Sequence, residues 1–105
     1  MSTNVVCCIR YVIDPYKAAD FEEYARKWLT IIPLMGGDLL GYFMPHEGTN
    51  NVALAMIGFE CLASYETYRG RLRQDADSLA NFKFAQEKKF IMEETRTFLR
   101  GVRKA

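Results

Sequence analysis

An α+β fold of the βαββαβ, ferredoxin-like kind is predicted by three features of the sequence. Apolar runs rich in β-branched residues alternate with segments of helical spacing, in the order strand, helix, strand, strand, helix, strand. The two middle strands are joined by a short connection rich in turn residues, as in a hairpin. The 105 residues fit one domain, spanning 1–105. Right-handed crossovers then give a four-stranded antiparallel sheet with both helices on one face.

Each element has its own signal. Val5 to Ile13 reads Val-Val-Cys-Cys-Ile-Arg-Tyr-Val-Ile, a strand. Asp14-Pro15 punctuates it, since Asp caps a helix and Pro suits the first turn. Phe21, Tyr24, Ala25, Trp28, Leu29 and Ile32 follow at spacings of three and four on one helical face. Pro33 is expected to end or kink this helix, and Gly36-Gly37 to break it. Leu39 to Met44 reads as a second strand interrupted by Gly41. The segment from Pro45 to Asn51 is a turn, so Val52 to Phe59 returns as the hairpin partner. Ser64 is expected to cap a second helix bearing Tyr65, Tyr68 and Leu72. Asp75 to Ser78 breaks or re-caps it, with Leu79, Phe82 and Ala85 continuing in helical spacing, and Phe90 to Leu99 reads as the last strand.

Composition removes several classes of function. Half of the residues are hydrophobic, which excludes disorder. Fourteen basic and thirteen acidic side chains give a net charge of +1, so no nucleic-acid footprint is expected. The uncharged start Met1-Ser2-Thr3-Asn4, and the Arg10 that interrupts the apolar run behind it, read as neither a signal peptide nor a membrane span. Cys7 and Cys8 are neighbours in a strand and point to opposite faces, which does not suit a mutual disulfide, and a reduced, cytoplasmic protein is the expectation. No phosphate loop or nucleophile elbow is present.

The strands also predict a partner. One face of the first strand carries Cys7, Ile9, Tyr11 and Ile13, the other Val6, Cys8, Arg10 and Val12. In the third strand Val52, Leu54 and Met56 oppose Ala53, Ala55, Ile57 and Phe59. Both faces are apolar, whereas a sheet with helices on one side and water on the other alternates apolar with polar. The tail Arg100 to Ala105 is too short and basic to cover the second face. A homodimer with its two sheets facing each other removes the patch.

Arg10-Tyr11-Val12-Ile13-Asp14-Pro15, the helix reaching Trp28, the segment Asn51-Val52-Ala53-Leu54 before Phe59, and the tail Glu93-Glu94-Thr95-Arg96-Thr97-Phe98-Leu99-Arg100 together resemble the NIPSNAP family. The resemblance implies membership of the dimeric α/β-barrel superfamily and the same paired-sheet dimer. It implies no established enzymatic motif. Two departures accompany it: Ala55 stands where the family's strand histidine is expected, and the family's first-strand arginine falls near Ile9, with Arg10 one position along.

The residues that could carry chemistry are few. Arg10, in mid-strand among apolar residues, must be paired, solvated or bound to an anion; pairing with Glu93 or Glu94 is the plainer expectation. Tyr11, Trp28 and Tyr42 could wall a pocket between sheet and helices, although aromatics at these spacings are more often core. His46, the only histidine, lies in the turn and could serve as an acid–base group or an axial haem ligand, and Asn51 could add a polar contact. A metal site is not expected, because one histidine and cysteines at unsuitable spacing do not make a four-ligand zinc centre. No cofactor is assigned, with haem left open. Cys61 is the thiol to test for reactivity. Two functions follow: a homodimeric small-ligand-binding or interaction module, or a cofactor-independent monooxygenase or isomerase acting on a hydrophobic or aromatic small molecule. A ligand-sensing regulator is weaker, since no segment is spare for a DNA-binding helix-turn-helix.

Overall fold

The computed structural model describes residues 2–104. Its strands are β1 (Val5–Ile13), β2 (Asp38–Phe43), β3 (Val52–Phe59) and β4 (Ile91–Leu99); its helices are α1 (Ala18–Met35), α2 (Leu62–Leu72) and α3 (Ala76–Lys88). The sheet runs in the order β2-β3-β1-β4 with every neighbouring pair antiparallel, so β1 and β3 are central and β2 and β4 are open edges. This is the predicted ferredoxin-like α+β topology, with the second helical segment divided in two.

Local chemistry explains the boundaries. The Asp14 carboxylate accepts from the Tyr16 N–H at 3.0 Å, and Pro15 opens a short 3-10 turn ahead of α1. That helix does not stop at Pro33: it runs on to Met35 and ends where Gly36 takes a left-handed φ of 104°. Pro33 is tolerated because it is exposed in the last turn, where only one backbone bond is lost. The cap of α2 is Cys61 rather than Ser64, and Cys61 makes no side-chain cap bond. Instead its Sγ lies 3.3 Å from the Ser64 hydroxyl, an interaction that lowers the thiol's pKa. The break at Asp75 is real. Its carboxylate accepts from the Ser78 N–H at 2.9 Å and from the Ser78 hydroxyl at 2.8 Å, which starts α3 afresh.

The helices cover one face only. Cys7, Ile9, Tyr11 and Ile13 of β1 and Ala53, Ala55, Ile57 and Phe59 of β3 are buried beneath them. Phe21 of α1 anchors this layer. It is fully buried, with its ring 5.0 Å from Tyr11 and 5.9 Å from Phe90, both edge-on; such pairs add about 0.5–1.5 kcal/mol beyond burial alone. Between the helices, buried Asn81 donates from Nδ2 to the Tyr24 carbonyl at 3.1 Å and so ties α3 to α1. The opposite sheet face carries Val6, Cys8 and Val12 beside Leu54 and Met56, with Phe43 half-exposed at its edge. Arg10 stands exposed in this face, between Leu54 and Thr95. The expected pairing of Arg10 with Glu93 or Glu94 is therefore corrected: Glu93 shares its face, opposite Val12, without forming an ion pair with it, and Glu94 lies on the helix-facing side and pairs with Arg96 instead.

Replacing Asp75 by Ala removes both cap bonds and is expected to lower the unfolding free energy by about 1 kcal/mol. Asp75→Asn should retain most of it. Denaturant melts of the two variants check this, with an unchanged denaturant slope showing that the fold is intact.

Candidate functional site

A cleft forms where the helices stop short of β4. The β1 strand presents Ile9 and Tyr11 to it from below, and α1 brings in Tyr24 and Trp28, four residues apart and so on one helical face. Tyr65, Tyr68, Arg69 and Leu72 of α2 form a second wall at helical spacing, Tyr42 closes the β2 side, and Arg96 projects from β4. The innermost space is about 20 Å³, room for about one water. Beside it, sharing Tyr24, Arg69, Phe82 and Arg96, an open groove of about 560 Å³ adds Lys89, Met92 and Glu94. That volume falls within the range of small-molecule sites, about 300–1,000 Å³.

The inner wall is aromatic but not inert. The Tyr11 and Tyr42 hydroxyls lie 3.2 Å apart and hydrogen-bond to each other. Burial raises the pKa of both well above the ordinary tyrosine value, and it raises that of Tyr68 as well. Tyr24 is pushed up to about 12, again chiefly by burial. The Trp28 indole N–H, directed at the Tyr24 oxygen, offsets part of that rise, but it does not reach the geometry of a full hydrogen bond. Trp28 is 3% exposed, and its Nε1 is buried without a partner. At the mouth Glu94 pairs with Arg96. Burial draws the Arg96 guanidinium down, but the Glu94 carboxylate beside it pulls the other way, and the pKa of the guanidinium stands raised. Arg69 forms no ion pair among the described residues.

Of the residues singled out from the sequence, Tyr11, Trp28 and Tyr42 meet in this wall. Arg10, His46 and Asn51 do not join them. Arg10 lies on the other side of the sheet. His46 is exposed in the β2–β3 connection. Asn51 shapes that connection: its carbonyl accepts from the Ile13 N–H at 2.8 Å and its Oδ1 from the Thr49 hydroxyl at 2.9 Å. Sequence reasoning missed Tyr24, Tyr68, Arg69 and Arg96. The spacing of 65, 68, 69 and 72 carried the signal for the α2 wall. Alternation along β4, which turns Glu94, Arg96 and Phe98 to the helix side, carried it for Arg96. Among the described residues, no group of three or more His, Cys, Asp or Glu is placed to hold a metal ion, and no helix is long and apolar enough to cross a membrane.

Comparison with known proteins gives a consistent result. The NIPSNAP family profile matches residues 6–104. A NIPSNAP family protein from Agrobacterium tumefaciens is 22% identical, with a TM-score of 0.81 over 93% of this chain and 92% of its own. A second from that organism, of unknown function, is 17% identical, with a TM-score of 0.84 over 98% and 92%. A putative antibiotic biosynthesis monooxygenase from Nitrosomonas europaea shares the fold at 11% identity, with a TM-score of 0.72 over 94% and 99%. No curated protein matches the sequence.

The buried phenols make stability depend on pH in a fixed direction. A buried phenol favours its protonated form, so the folded chain keeps a proton that the unfolded chain releases above about pH 10. The contribution of Tyr24 is thus complete below pH 10 and is lost as pH rises toward about 12. Tyr24→Phe should lessen the alkaline loss across that window by up to about 3 kcal/mol, read from denaturant melts at successive pH values. An identical loss in variant and parent would contradict the assignment.

Proposed function

The chain belongs to the NIPSNAP family, and from that premise we propose that it is a homodimeric module, acting as one domain, that binds a hydrophobic small molecule in the cleft beside β4. The observation that carries this reading is the unpartnered Trp28 N–H in a wall of tyrosines that opens onto a groove of ligand size. A merely structural core would satisfy or exclude such a donor. Three free thiols support a reducing, cytoplasmic setting. The dimer is supported by the uncovered sheet face, where Leu40 and Phe43 are each 51% exposed and Leu99 46%. A second copy, sheet against sheet, is the occupant that matches an apolar face of this shape.

A second reading, a cofactor-independent monooxygenase acting on an aromatic molecule, draws on the same aromatic wall and on the shared fold of the Nitrosomonas protein. It differs in one measurable respect, since such an enzyme consumes oxygen in the presence of its substrate and a binding module does not.

The pocket is tested through its own reporter, because Trp28 is the chain's only tryptophan. In an isotope-labelled sample, naphthol is expected to shift the single indole N–H resonance saturably. Saturable binding that leaves that resonance in place would put the site elsewhere. The dimer is tested by sedimentation at micromolar concentration, with a mass of two chains expected. Met56→Glu sets a charge between Cys8 and Gly41 on the uncovered face, away from the core, and should reduce the mass to one chain without unfolding it. A parent that sediments as one chain would end the dimer reading.

A further inference from the structure

The cleft is rich in donors and poor in acceptors. Its inner wall offers the Trp28 N–H, tyrosine hydroxyls and the guanidinium groups of Arg69 and Arg96, and no carboxylate or amide side chain lines it. The groove outside holds Arg69, Lys89 and Arg96 against the single carboxylate of Glu94. Glu94 is committed to Arg96, which fixes that guanidinium at the floor and leaves Arg69 and Lys89 without an ion pair among the described residues; of the two, only Arg69 also lines the inner wall. A charge facing a half-enclosed apolar cleft is costly unless a partner arrives, and Arg is the side chain whose donor fork matches a carboxylate. Around these donors the walls are flat and unsaturated: the Trp28 ring is 5.1 Å from Phe82 and 5.7 Å from Tyr24.

We propose that the cleft takes a small aromatic carboxylate, its ring in the outer groove against Tyr24 and Phe82, one ring away from Trp28, and its anionic group on Arg69, with Arg96 as a second arm. The proposal rests on the reading of the cleft as a ligand pocket and adds the charge of the ligand and the residue that selects it. Because burial keeps the surrounding phenols protonated, they can donate to an anionic group, whereas a ligand cation would face the guanidinium groups of Arg69 and Arg96 with Glu94 already paired.

The test uses benzoate, benzamide and benzylamine, which share a ring and differ in charge, each titrated into the full chain while the Trp28 indole resonance is followed. Benzoate is expected to shift it saturably, with a dissociation constant at least tenfold below that of benzamide, and benzylamine to leave it unmoved. Arg69→Gln should erase the preference for benzoate over benzamide while retaining the benzamide shift, and Arg69→Lys should restore part of it. The rest of the spectrum shows whether each variant is folded. Benzamide or benzylamine binding as tightly as benzoate would leave the pocket standing and overturn the anion assignment. A preference for benzoate that survives Arg69→Gln would overturn the role of Arg69. If none of the three moves the indole resonance while naphthol does, this proposal falls and the pocket reading stands; if naphthol fails as well, both fall.

Discussion

Coverage of the sheet by the helices is the constraint on which the rest depends. α1 lies toward β2 and α3, and α2 meets β3; the helix-facing residues of β3 and β1 are buried and none in β4 is, so the helix layer reaches as far as β1 and leaves β4 with little above it. A strand fully roofed by helices would have to be apolar on that side. Because β4 is not, it can carry Glu94 and Arg96 inward, where they satisfy each other and still touch water. The charged floor, the tyrosine wall and the opening of the cleft all follow from that single shortfall in cover.

The same economy appears within the core. Phe21 and Phe90 fill the space beneath α1 completely, and their ring contacts continue through Tyr24 to Trp28 and Phe82. Toward β4 this sequence of rings changes character: fully apolar rings give way to phenols and an indole whose polar atoms need partners. The packed core and the wall of the cleft are therefore two ends of one aromatic cluster, and Trp28 belongs to both.

The fold was largely legible in the sequence because it rests on local signals. β1 and β3 were bounded by runs of β-branched and apolar residues, and the twofold alternation within them assigned each side chain to its face. The reading failed where tertiary context overrode local propensity, as at Pro33, whose exposed position let α1 continue, and at Ser64, which was displaced by Cys61. The site was less legible. Tyr11, Trp28 and Tyr42 could be placed together because each lies on a well-marked face. Arg10 was misleading, since conspicuous charge in a strand says nothing about which side of the sheet holds the pocket. Arg69 and Arg96 could not be placed together, for their meeting depends on how far α2 stands from β4, a distance no spacing in the sequence encodes.

The two edge strands carry irregularities that bear on a different matter. The pairing of β2 with β3 slips between Leu39 and Gly41, where Gly41 has a φ of 157° and the Phe43 ring folds over it; that of β1 with β4 slips between Val12 and Ile13. A regular edge with free N–H and C=O groups invites another strand, and another after it, into an open-ended ribbon. Here each edge is out of step with any straight strand that might dock on it, while the apolar face of the sheet stays smooth. The backbone thus discourages growth sideways into fibres without impeding contact through the face, so an assembly built on that face stays finite.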